Sequence, residues 1–396
     1  MLHISLFSAW VRRAGLLWAA SLLGVVACRP DADLTAPPAP GPTPYALVVP
    51  ASLNTTPRVP ADNPLTVEGV ELGRFLFYEK LLSADNSISC ASCHQQDKAF
   101  TDGRPFSQGV GGAFGRRSSM SLTNIMWVDS LNWDFRFSSI EAQNRHPLAH
   151  PDEMAQAISV GVSKLQNTPD YPGRFQKAFG TSVITEELLL KALGQFQRTL
   201  ISGRSKFDLS RLPGSGVTLT ADEEEGYRLF STHPDPYTTL TDPVTGQPLL
   251  DPLGNPLTLR GGNCGDCHGS GGLFKQTLVT SANNGLDEFP ADSGIGGRTR
   301  RPHDFARFGV PTLRNIALTA PYMHDGRFAS LRDVLDHYNE HVQLASPTLS
   351  ADMRSSNVQG GASLMLTPAE KRKIIAFLHT LTDTEFVTDP RFADPH

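Results

Sequence analysis

Two short motifs of the same design constrain this chain more than any other feature of its sequence. They occupy residues 90–94 (CASCH) and 264–268 (CGDCH), and they contain four of the five cysteines in the 396-residue chain. The pattern C-x-x-C-H is the attachment signal of c-type haem, because two thiols can bond to one macrocycle while the next histidine reaches its iron. The predicted attachment residues are Cys90, Cys93, Cys264 and Cys267, and the predicted iron ligands are His94 and His268.

Other uses of paired cysteines are a four-cysteine zinc site, a redox C-x-x-C or two structural disulfides. A zinc site uses histidine only optionally, so it does not explain why both motifs end in histidine. The motifs lie 174 residues apart, which gives each one a domain-sized stretch of chain. We therefore expect a mainly α protein with two cytochrome c-like helical haem domains, long loops and little β structure. The expected domains are residues 65–212 and residues 213–396.

The first 27 residues are typical of an export signal, because Arg12 and Arg13 precede fourteen uncharged residues. That apolar run is too short to span a bilayer permanently. Small residues before Cys28 resemble a bacterial lipobox and predict lipidation of Cys28, with ordinary signal cleavage as the alternative. Residues 28–64 are rich in proline and predict a flexible tether. The expected location is the bacterial periplasm or cell envelope, with membrane contact only through the lipid anchor.

The net charge excludes one class of partner, and capping signals indicate where several helices begin. With 35 Lys and Arg against 40 Asp and Glu, the formal charge is −5, so we expect no binding to nucleic acid.

Residues 186–201 place apolar side chains on one helical face, and Thr220, Ser330 and Thr367 each begin a capping box. Residues 232–262 contain two similar turns and predict a surface insertion, to which the sequence assigns no chemistry.

Residues 132–154 carry a more specific pattern. They read Asn132-Trp-Asp-Phe-Arg136, then Gln143, and then Pro151-Asp-Glu-Met154, with unbroken spacing from the tryptophan to the glutamate. This stretch resembles the W-D-x-R…Q-x-x-x-P-x-x-x-P-x-E-M segment of the bacterial dihaem cytochrome c peroxidase and MauG family. The resemblance continues in residues 311–328 and covers roughly residues 60–385.

The resemblance implies a division of labour, in which the first haem reacts with peroxide and the second passes or stores electrons. It implies that Glu153 is the distal acid–base group, moving a proton between the two peroxide oxygens, and that Gln143 holds the peroxide by a hydrogen bond. Trp133 would lie between the haems and carry an oxidising equivalent. The alternative uses are a first-turn helix acid for Glu153 and a core position for Trp133.

Two positions depart from the pattern of the standard peroxidases. Those proteins have a histidine sixteen residues after the first haem histidine, where it caps the iron until the other haem is reduced. Here that position is Val110, which cannot ligate iron, so we expect the first haem to be open at rest without reductive activation. His146 and His150 are the alternative caps.

The second departure concerns the other axial ligand of the second haem. The standard peroxidases supply methionine at a position that corresponds to Tyr338, and MauG-type proteins use tyrosine there. A phenolate favours the higher oxidation states of iron, which suits a store of oxidising equivalents. Competing ligands are Met323, His337 and His341.

The family also implies a calcium ion between the domains. Its carbonyl ligands would correspond to Thr319 and Pro321, and the position of its asparagine ligand is Ser118. We therefore expect calcium here. A hydroxyl is a weaker ligand for a hard cation than an amide oxygen, so Ser118 should bind the ion less tightly than the family's asparagine.

Three hypotheses for the function follow from these residues. The first is a cytochrome c peroxidase-type enzyme that reduces hydrogen peroxide with electrons from a small cytochrome or copper protein. The second is a MauG-like enzyme that oxidises a partner protein at long range, which Val110 and Tyr338 favour. The third is a non-catalytic dihaem electron carrier, which would make no use of Glu153.

Overall fold

Helices dominate the protein in its computed structural model, which describes residues 41–274 and 281–396. The predicted signal peptide, Cys28 and the first part of the predicted tether lie outside the described residues. The α-helices are α1 (Val67–Tyr78), α2 (Cys90–Cys93), α3 (Ile140–Ala149), α4 (Ile158–Gln166), α5 (Asp170–Phe179), α6 (Glu186–Gln197), α7 (Lys206–Ser210), α8 (Ala221–Ser231), α9 (Cys264–His268), α10 (Ile295–Thr299), α11 (Leu331–Asp336), α12 (Pro368–His379) and α13 (Thr384–Thr388). A π-helix over His337–His341 continues α11.

The strands of the described residues form two short antiparallel pairs, and the other β contacts there are isolated bridges. Strand β1 (Asp235–Thr239) pairs with β2 (Thr258–Leu259), and β3 (Ser281–Ala282) pairs with β4 (Phe308–Gly309). The prediction of a mainly α fold with long loops is confirmed. No helix within these two described stretches is long and apolar enough to cross a membrane.

Local capping interactions explain where the helices begin. The boxes predicted at Thr220, Ser330 and Thr367 are all formed, and each satisfies backbone N–H groups that have no partner inside the helix. Thr185 caps α6 with its side chain alone, which accepts from the Leu188 N–H. These helix starts depend on neighbours in sequence, which is why the sequence alone predicts them.

The first hydrophobic core is built around the crossing of α1 and α6. Gly73 allows the crossing, because a Cβ at this position would lie 2.0 Å from the carbonyl oxygen of Ala192. The predicted apolar face of α6 is buried in this core, including Leu189, Leu193 and Phe196. Close backbone approach thus brings α1 and α6 together directly beside the segment that carries the first C-x-x-C-H motif.

The second core is built around a similar close crossing, between α8 and α12, at a glycine. A Cβ on Gly226 would lie 1.9 Å from the carbonyl oxygen of Lys373. Phe207, Phe274 and Phe377 form edge-to-face ring contacts in this core, which lies beside the second motif. Phe207 comes before the predicted domain border at 212/213, and the border itself stays a prediction.

Both ends of the described chain pack against the first half of the protein. Phe386 and Phe392 lie in the first core, although the sequence assigns residues 213–396 to the second domain. Leu53 is buried against Met126 and Trp127, and the indole N–H of Trp127 donates to the carbonyl of Thr56 at 2.7 Å. The described part of the predicted tether therefore contacts the body at Leu53, whereas Val48 is 76% exposed, and the flexible tether stays a prediction.

Candidate haem and peroxide sites

The first C-x-x-C-H motif orients its histidine for metal binding. Cys90–Cys93 form the short helix α2, and His94 follows it directly. The Nδ1 of His94 donates to the carbonyl of Phe100 at 2.8 Å, because a carbonyl oxygen can only accept. In a neutral imidazole this leaves the lone pair on Nε2, the atom that would bind iron. Burial lowers the pKa of His94, and the charge of Glu153 opposes that effect.

The second motif repeats the arrangement with a different carbonyl. His268 ends α9, and its Nδ1 donates to the carbonyl of Pro311 at 3.0 Å. Burial lowers the pKa of His268 to about 4, so the imidazole is neutral and Nε2 is again the free acceptor. Both histidines are thus held in the tautomer that a proximal haem ligand requires.

The four thiols fit haem attachment better than they fit the alternatives. All four are free cysteines, and burial raises the pKa of Cys90 and of Cys264 to about 12. A reactive redox C-x-x-C depends instead on a lowered thiol pKa. Within the described residues, no three His, Cys, Asp or Glu side chains are grouped so that they could hold a metal ion.

A largely apolar cavity, open to solvent, lies at the second motif. Cys264, Cys267 and His268 line it, together with apolar side chains such as Phe230 and Leu335. A haem needs such a hydrophobic slot beside its proximal histidine, and the residues present fit the group. A second, more polar opening lies beside the first motif, where Ser92 lines it.

Glu153 lies close to the first motif, as the sequence predicts for a distal acid. Its charge helps to raise the pKa of Cys90 and Cys93, after the larger effect of burial. The Val110 N–H donates to the carbonyl of Glu153 at 2.8 Å. A Cβ on Gly109 would lie 2.2 Å from the carbonyl oxygen of Asp152 and 2.7 Å from that of Glu153. The loop in which a capping histidine would stand is therefore packed flat against the backbone of the candidate acid.

The two alternative caps of the first iron are engaged elsewhere. The Arg136 guanidinium, which can only donate, lies 3.3 Å from Nε2 of His146. The Asp152 N–H donates to Nδ1 of His150 at 3.2 Å. Each neutral imidazole therefore already uses the lone pair that iron would need, so the structure favours neither His146 nor His150 as a cap.

The other two predicted catalytic residues, Gln143 and Trp133, have different surroundings from each other. The Oε1 of Gln143 is buried and has no hydrogen-bond partner within the described residues, so it is able to accept from a small ligand. The indole N–H of Trp133 donates to the carbonyl of Ser118 at 3.0 Å, and its ring lines the second cavity. The next residue, Ser119, donates to the carbonyl of Cys93 at 2.8 Å. Trp133 thus joins the wall of the second cavity to a segment that contacts the first motif.

Tyr338 and Met323 are the ligand candidates that line the second cavity with His268. The amide Nδ2 of Asn284 lies 3.3 Å from the Tyr338 hydroxyl and 3.4 Å from the Met323 sulfur. Burial raises the pKa of Tyr338 to about 12. Of the other candidates, His337 donates from Nε2 to the carbonyl of Asn284 at 3.0 Å, and His341 is largely exposed.

Of the predicted calcium residues, Ser118 is bonded to the segment that follows Pro321. The Ser118 hydroxyl donates to the carbonyl of Met323 at 2.8 Å, and the Ser118 N–H donates to the carbonyl of His324 at 2.7 Å. These carbonyls follow Pro321 closely in sequence, and Thr319 ends the preceding turn. The hydroxyl that would replace the family's asparagine is thus already bonded to the protein, and calcium stays a prediction.

An ion network that the sequence analysis did not identify connects these sites. Asp134 is almost fully buried, and its Oδ2 accepts from Arg117 at 3.0 Å and from Arg136 at 2.9 Å. Arg117 also forms a two-pronged pair with Asp292 at 2.8 and 2.9 Å. Because Arg136 contacts His146, the network runs from the neighbour of Trp133 to the neighbours of Glu153. The adjacency of Trp133 and Asp134 is the one signal in the sequence that could have indicated it.

Comparisons with known proteins identify the family of this chain. A family model described as di-haem cytochrome c peroxidase matches residues 67–214. The methylamine utilization protein MauG of Methylorubrum extorquens is 33% identical over 327 residues, which are 81% of this chain and 80% of that protein. The cytochrome c551 peroxidase of Nitrosomonas europaea is 29% identical over 330 residues, which are 82% of this chain and 83% of that protein.

A solved structure is similar over nearly the same length. It is a MauG-like protein associated with microbial copper homeostasis, and it is 33% identical to this chain. The alignment covers 86% of this chain and 97% of that one, with a TM-score of 0.71. The similar proteins therefore include both peroxidases and proteins named MauG.

Proposed function

Because the chain belongs to the dihaem cytochrome c peroxidase and MauG family, we propose that it reduces hydrogen peroxide to water with electrons from a small redox protein. The family carries two c-type haems. Each peroxide molecule takes two electrons and two protons, and its O–O bond breaks to give two waters. The donor would be a small cytochrome or a copper protein.

The observation that carries the proposal is the position of Glu153. Its carboxylate lies close enough to Cys90, Cys93 and His94 for its charge to act on the pKa of all three. A carboxylate on the open side of a haem can take a proton from one peroxide oxygen and return it to the other. A non-catalytic electron carrier needs two haem sites but would have no use for Glu153.

The haem supplies the redox chemistry when it is bound, and this chain supplies binding and proton transfer. His94 is held with Nε2 free, so it would bind the iron from the proximal side. The unpaired Oε1 of Gln143 would accept a hydrogen bond from the peroxide. Glu153 would then move the proton. Its backbone carbonyl accepts a hydrogen bond from the Val110 N–H, which holds the chain in place at this residue.

We propose that the first haem is open in the fully oxidised protein. Val110 replaces the capping histidine and has no ligating atom. Packing of Gly109 against Asp152 and Glu153 supports this view, because the loop cannot approach or leave without disturbing the acid. Reduction of the second haem would then not be needed before peroxide binds.

A MauG-like oxidation of a partner protein is the second candidate, and the second cavity favours it. Tyr338 lines that cavity with His268, and a phenolate ligand would lower the potential of the haem there. Trp133 contacts both regions and would carry an oxidising equivalent between them. Steady-state turnover with a reduced small cytochrome separates the two candidates, because a MauG-like enzyme would turn over slowly without its protein substrate.

The experiment uses the oxidised holoprotein, one equivalent of hydrogen peroxide and no reductant. We expect a rapid change in the absorption spectrum, and a loss of at least about a hundredfold in its rate in Glu153→Gln. Glu187→Gln on α6 is the matched control, because that side chain is largely exposed and pairs only with Lys191 in the described contacts. An unchanged rate in Glu153→Gln would defeat the catalytic assignment and favour a dihaem electron carrier.

The remaining assignments are proposals of the same kind. The family is typically periplasmic, and we propose export directed by residues 1–27 and lipidation at Cys28. Fractionation of the expressing cells tests this, since Cys28→Ser should release the protein from the membrane fraction. We also propose calcium near Ser118, Thr319 and Pro321, which elemental analysis of the holoprotein tests.

A further inference from the structure

The insertion at residues 232–262 is the part of the described chain that the proposed function does not use. Its central part, residues 235–259, is here called the two-turn hairpin. Backbone bonds link Leu240, Leu249 and Leu257 in a closed triangle at 2.8 Å each, so the three passes of the chain meet at these leucines. Two turns project from this point, one beginning at Asp242 and the other at Asp251.

The two turns have the same construction. Asp242 accepts N–H groups of Val244 and Thr245, and Asp251 accepts those of Leu253 and Asn255. Each turn places an aliphatic side chain two residues after its aspartate. Val244 is 90% exposed and Leu253 is 87% exposed. The aspartates hold the turns, but nothing in the turn geometry requires the exposed residue to be apolar.

Exposed apolar side chains are concentrated on the hairpin. Within the described residues, fourteen large apolar side chains are exposed, and six of them lie between Tyr237 and Leu257. Scattered exposed residues need no explanation, but a cluster of this kind marks an interaction surface. The six are Tyr237, Val244, Leu249, Leu250, Leu253 and Leu257.

The base of the hairpin is bonded directly to the second haem motif. His233 contacts Asp266 at 2.7 Å, inside the motif, and Asn263 at 2.9 Å. At the returning end, Arg260 pairs with Glu370 at 2.5 and 2.7 Å, and the Gly261 N–H donates to Asn357 at 2.7 Å. The hairpin, and with it a protein bound across it, is therefore attached to the body at the second motif.

The charge of the hairpin distinguishes between classes of occupant. Residues 234–259 contain three aspartates and no Lys, Arg or His. An anionic membrane surface repels such a segment, because interfacial binding uses Lys and Arg. A second copy of this chain would bring the same carboxylates together, and the chain already carries a formal charge of −5. A partner with an apolar face ringed by lysines matches both the apolar tips and the carboxylates.

We propose that the two-turn hairpin is the docking site of the electron donor: a small, basic redox protein whose contact face is apolar and ringed by lysines. This inference rests on the proposed function, which supplies the need for a donor. Val244 and Leu253 enter the apolar centre of the contact, and Asp242 and Asp251 face the lysines around it. The apolar contact slows dissociation of the donor, and the opposite charges orient the donor on the hairpin.

The test compares the wild-type holoenzyme with Val244→Ser/Leu253→Ser, using reduced mitochondrial cytochrome c as a basic probe. We expect the KM for cytochrome c to rise about tenfold while kcat stays within about twofold. Isothermal titration of the oxidised proteins should give the same ratio of Kd values. Val160→Ser/Val183→Ser is the matched control, since both of its side chains are exposed aliphatic residues in the first half of the chain. The control should leave KM and Kd unchanged.

A second pair of variants tests the charges. Asp242→Asn and Asp251→Asn keep an oxygen that can hold each turn, so the hairpin is retained. The KM of the wild type should rise with salt, and this dependence should be weaker in the double asparagine variant. Unchanged haem spectra in every variant exclude misfolding as the cause of an effect.

Different results would contradict the docking site and the proposed function. Equal KM and Kd in the wild type and Val244→Ser/Leu253→Ser would overturn the docking site, as would a wild type that does not bind cytochrome c. A wild type that reduces no peroxide with cytochrome c or with mediated ascorbate would overturn the proposed function, and titration would still decide the docking site. Vesicle binding or dimer formation that is lost in Val244→Ser/Leu253→Ser would assign the hairpin to a membrane or to a second copy instead.

Discussion

His146 Nδ1 lies 3.5 Å from Oε1 of Glu153, and its other ring nitrogen accepts from Arg136 at 3.3 Å. In the neutral imidazole, the arginine fixes the lone pair on Nε2 and the proton on Nδ1, which faces the carboxylate. His146 is thus turned away from a ligand role and toward the acid that we assign to peroxide chemistry. We therefore expect it to act as a positioning residue for Glu153.

Replacement of His146 by Asn should therefore slow the reaction with peroxide without opening or closing the iron site. We expect about a tenfold lower rate constant, because Glu153 keeps its backbone contacts but loses a partner of its carboxylate. Cyanide binding to the oxidised protein is a second readout, since it also transfers a proton at the distal side, and it should slow to a similar degree. Arg145→Asn, on the exposed side of α3, is the control. A change in the resting haem spectrum would instead mean that His146 ligates iron.

Gly109→Ala should disturb Glu153 through its backbone, whereas His146 faces its carboxylate. The added methyl group would lie 2.2 Å from the Asp152 carbonyl oxygen, so the loop or the Glu153 backbone must move. We expect the rate with peroxide to fall about tenfold and the melting temperature to fall by a few degrees. Gly173→Ala in α5 is the control, because nothing lies within 4 Å of the added atom and alanine favours the helix. Equal activity of both variants would show that the loop does not brace Glu153.

The ligand assignment at the second haem is tested by Tyr338→Met. A thioether stabilises reduced iron relative to a phenolate, so the reduction potential of one haem should rise by on the order of 0.1 V. Tyr322→Phe is the control, since Tyr322 lines the same cavity but donates its hydroxyl to the carbonyl of Ile316 at 3.0 Å. A spectroelectrochemical titration measures both. A potential that does not move in Tyr338→Met would point to Met323 as the ligand.

The pair of Asp208 and Arg314 should control the acid stability of the second core. Both side chains are buried, and they are joined by two bonds of 2.7 Å. Burial raises the pKa of Asp208, but the bonds from Arg314 outweigh it and the net pKa lies below 3.8. The pair therefore stabilises the fold at higher pH, and this stability is lost as the pH falls through the lowered pKa.

Asp208→Asn should accordingly cost about 3 kcal/mol at pH 7, because it leaves the Arg314 charge buried without a counter-ion. The cost should shrink at pH 3, where the wild type is losing the same interaction. Urea unfolding of the holoprotein at both pH values measures this. Asp222→Asn is the exposed control and should change the stability by less than about 0.5 kcal/mol. A cost that is the same at both pH values would exclude the ion pair as its source.

Some features of the protein could be read from the sequence because they depend on short-range chemistry. Haem attachment needs two thiols and a histidine within five residues, and a capping box needs partners three residues apart. The motifs at Cys90–His94 and Cys264–His268 and the helix starts at Thr220, Ser330 and Thr367 belong to this group. The substitution at Val110 was likewise visible as the absence of a ligating atom.

Tertiary structure decided the contacts that join distant parts of the chain. The Val110 N–H meets the Glu153 carbonyl across 43 residues, and Phe392 returns to a core built around α1 and α6. The proline-rich residues 28–64 predict a flexible tether, and only the folded structure shows that Leu53 within them packs against Met126 and Trp127. Such contacts depend on the shapes of surfaces that form only when the chain folds. A local pattern specifies which groups are present, and only packing determines which of them meet.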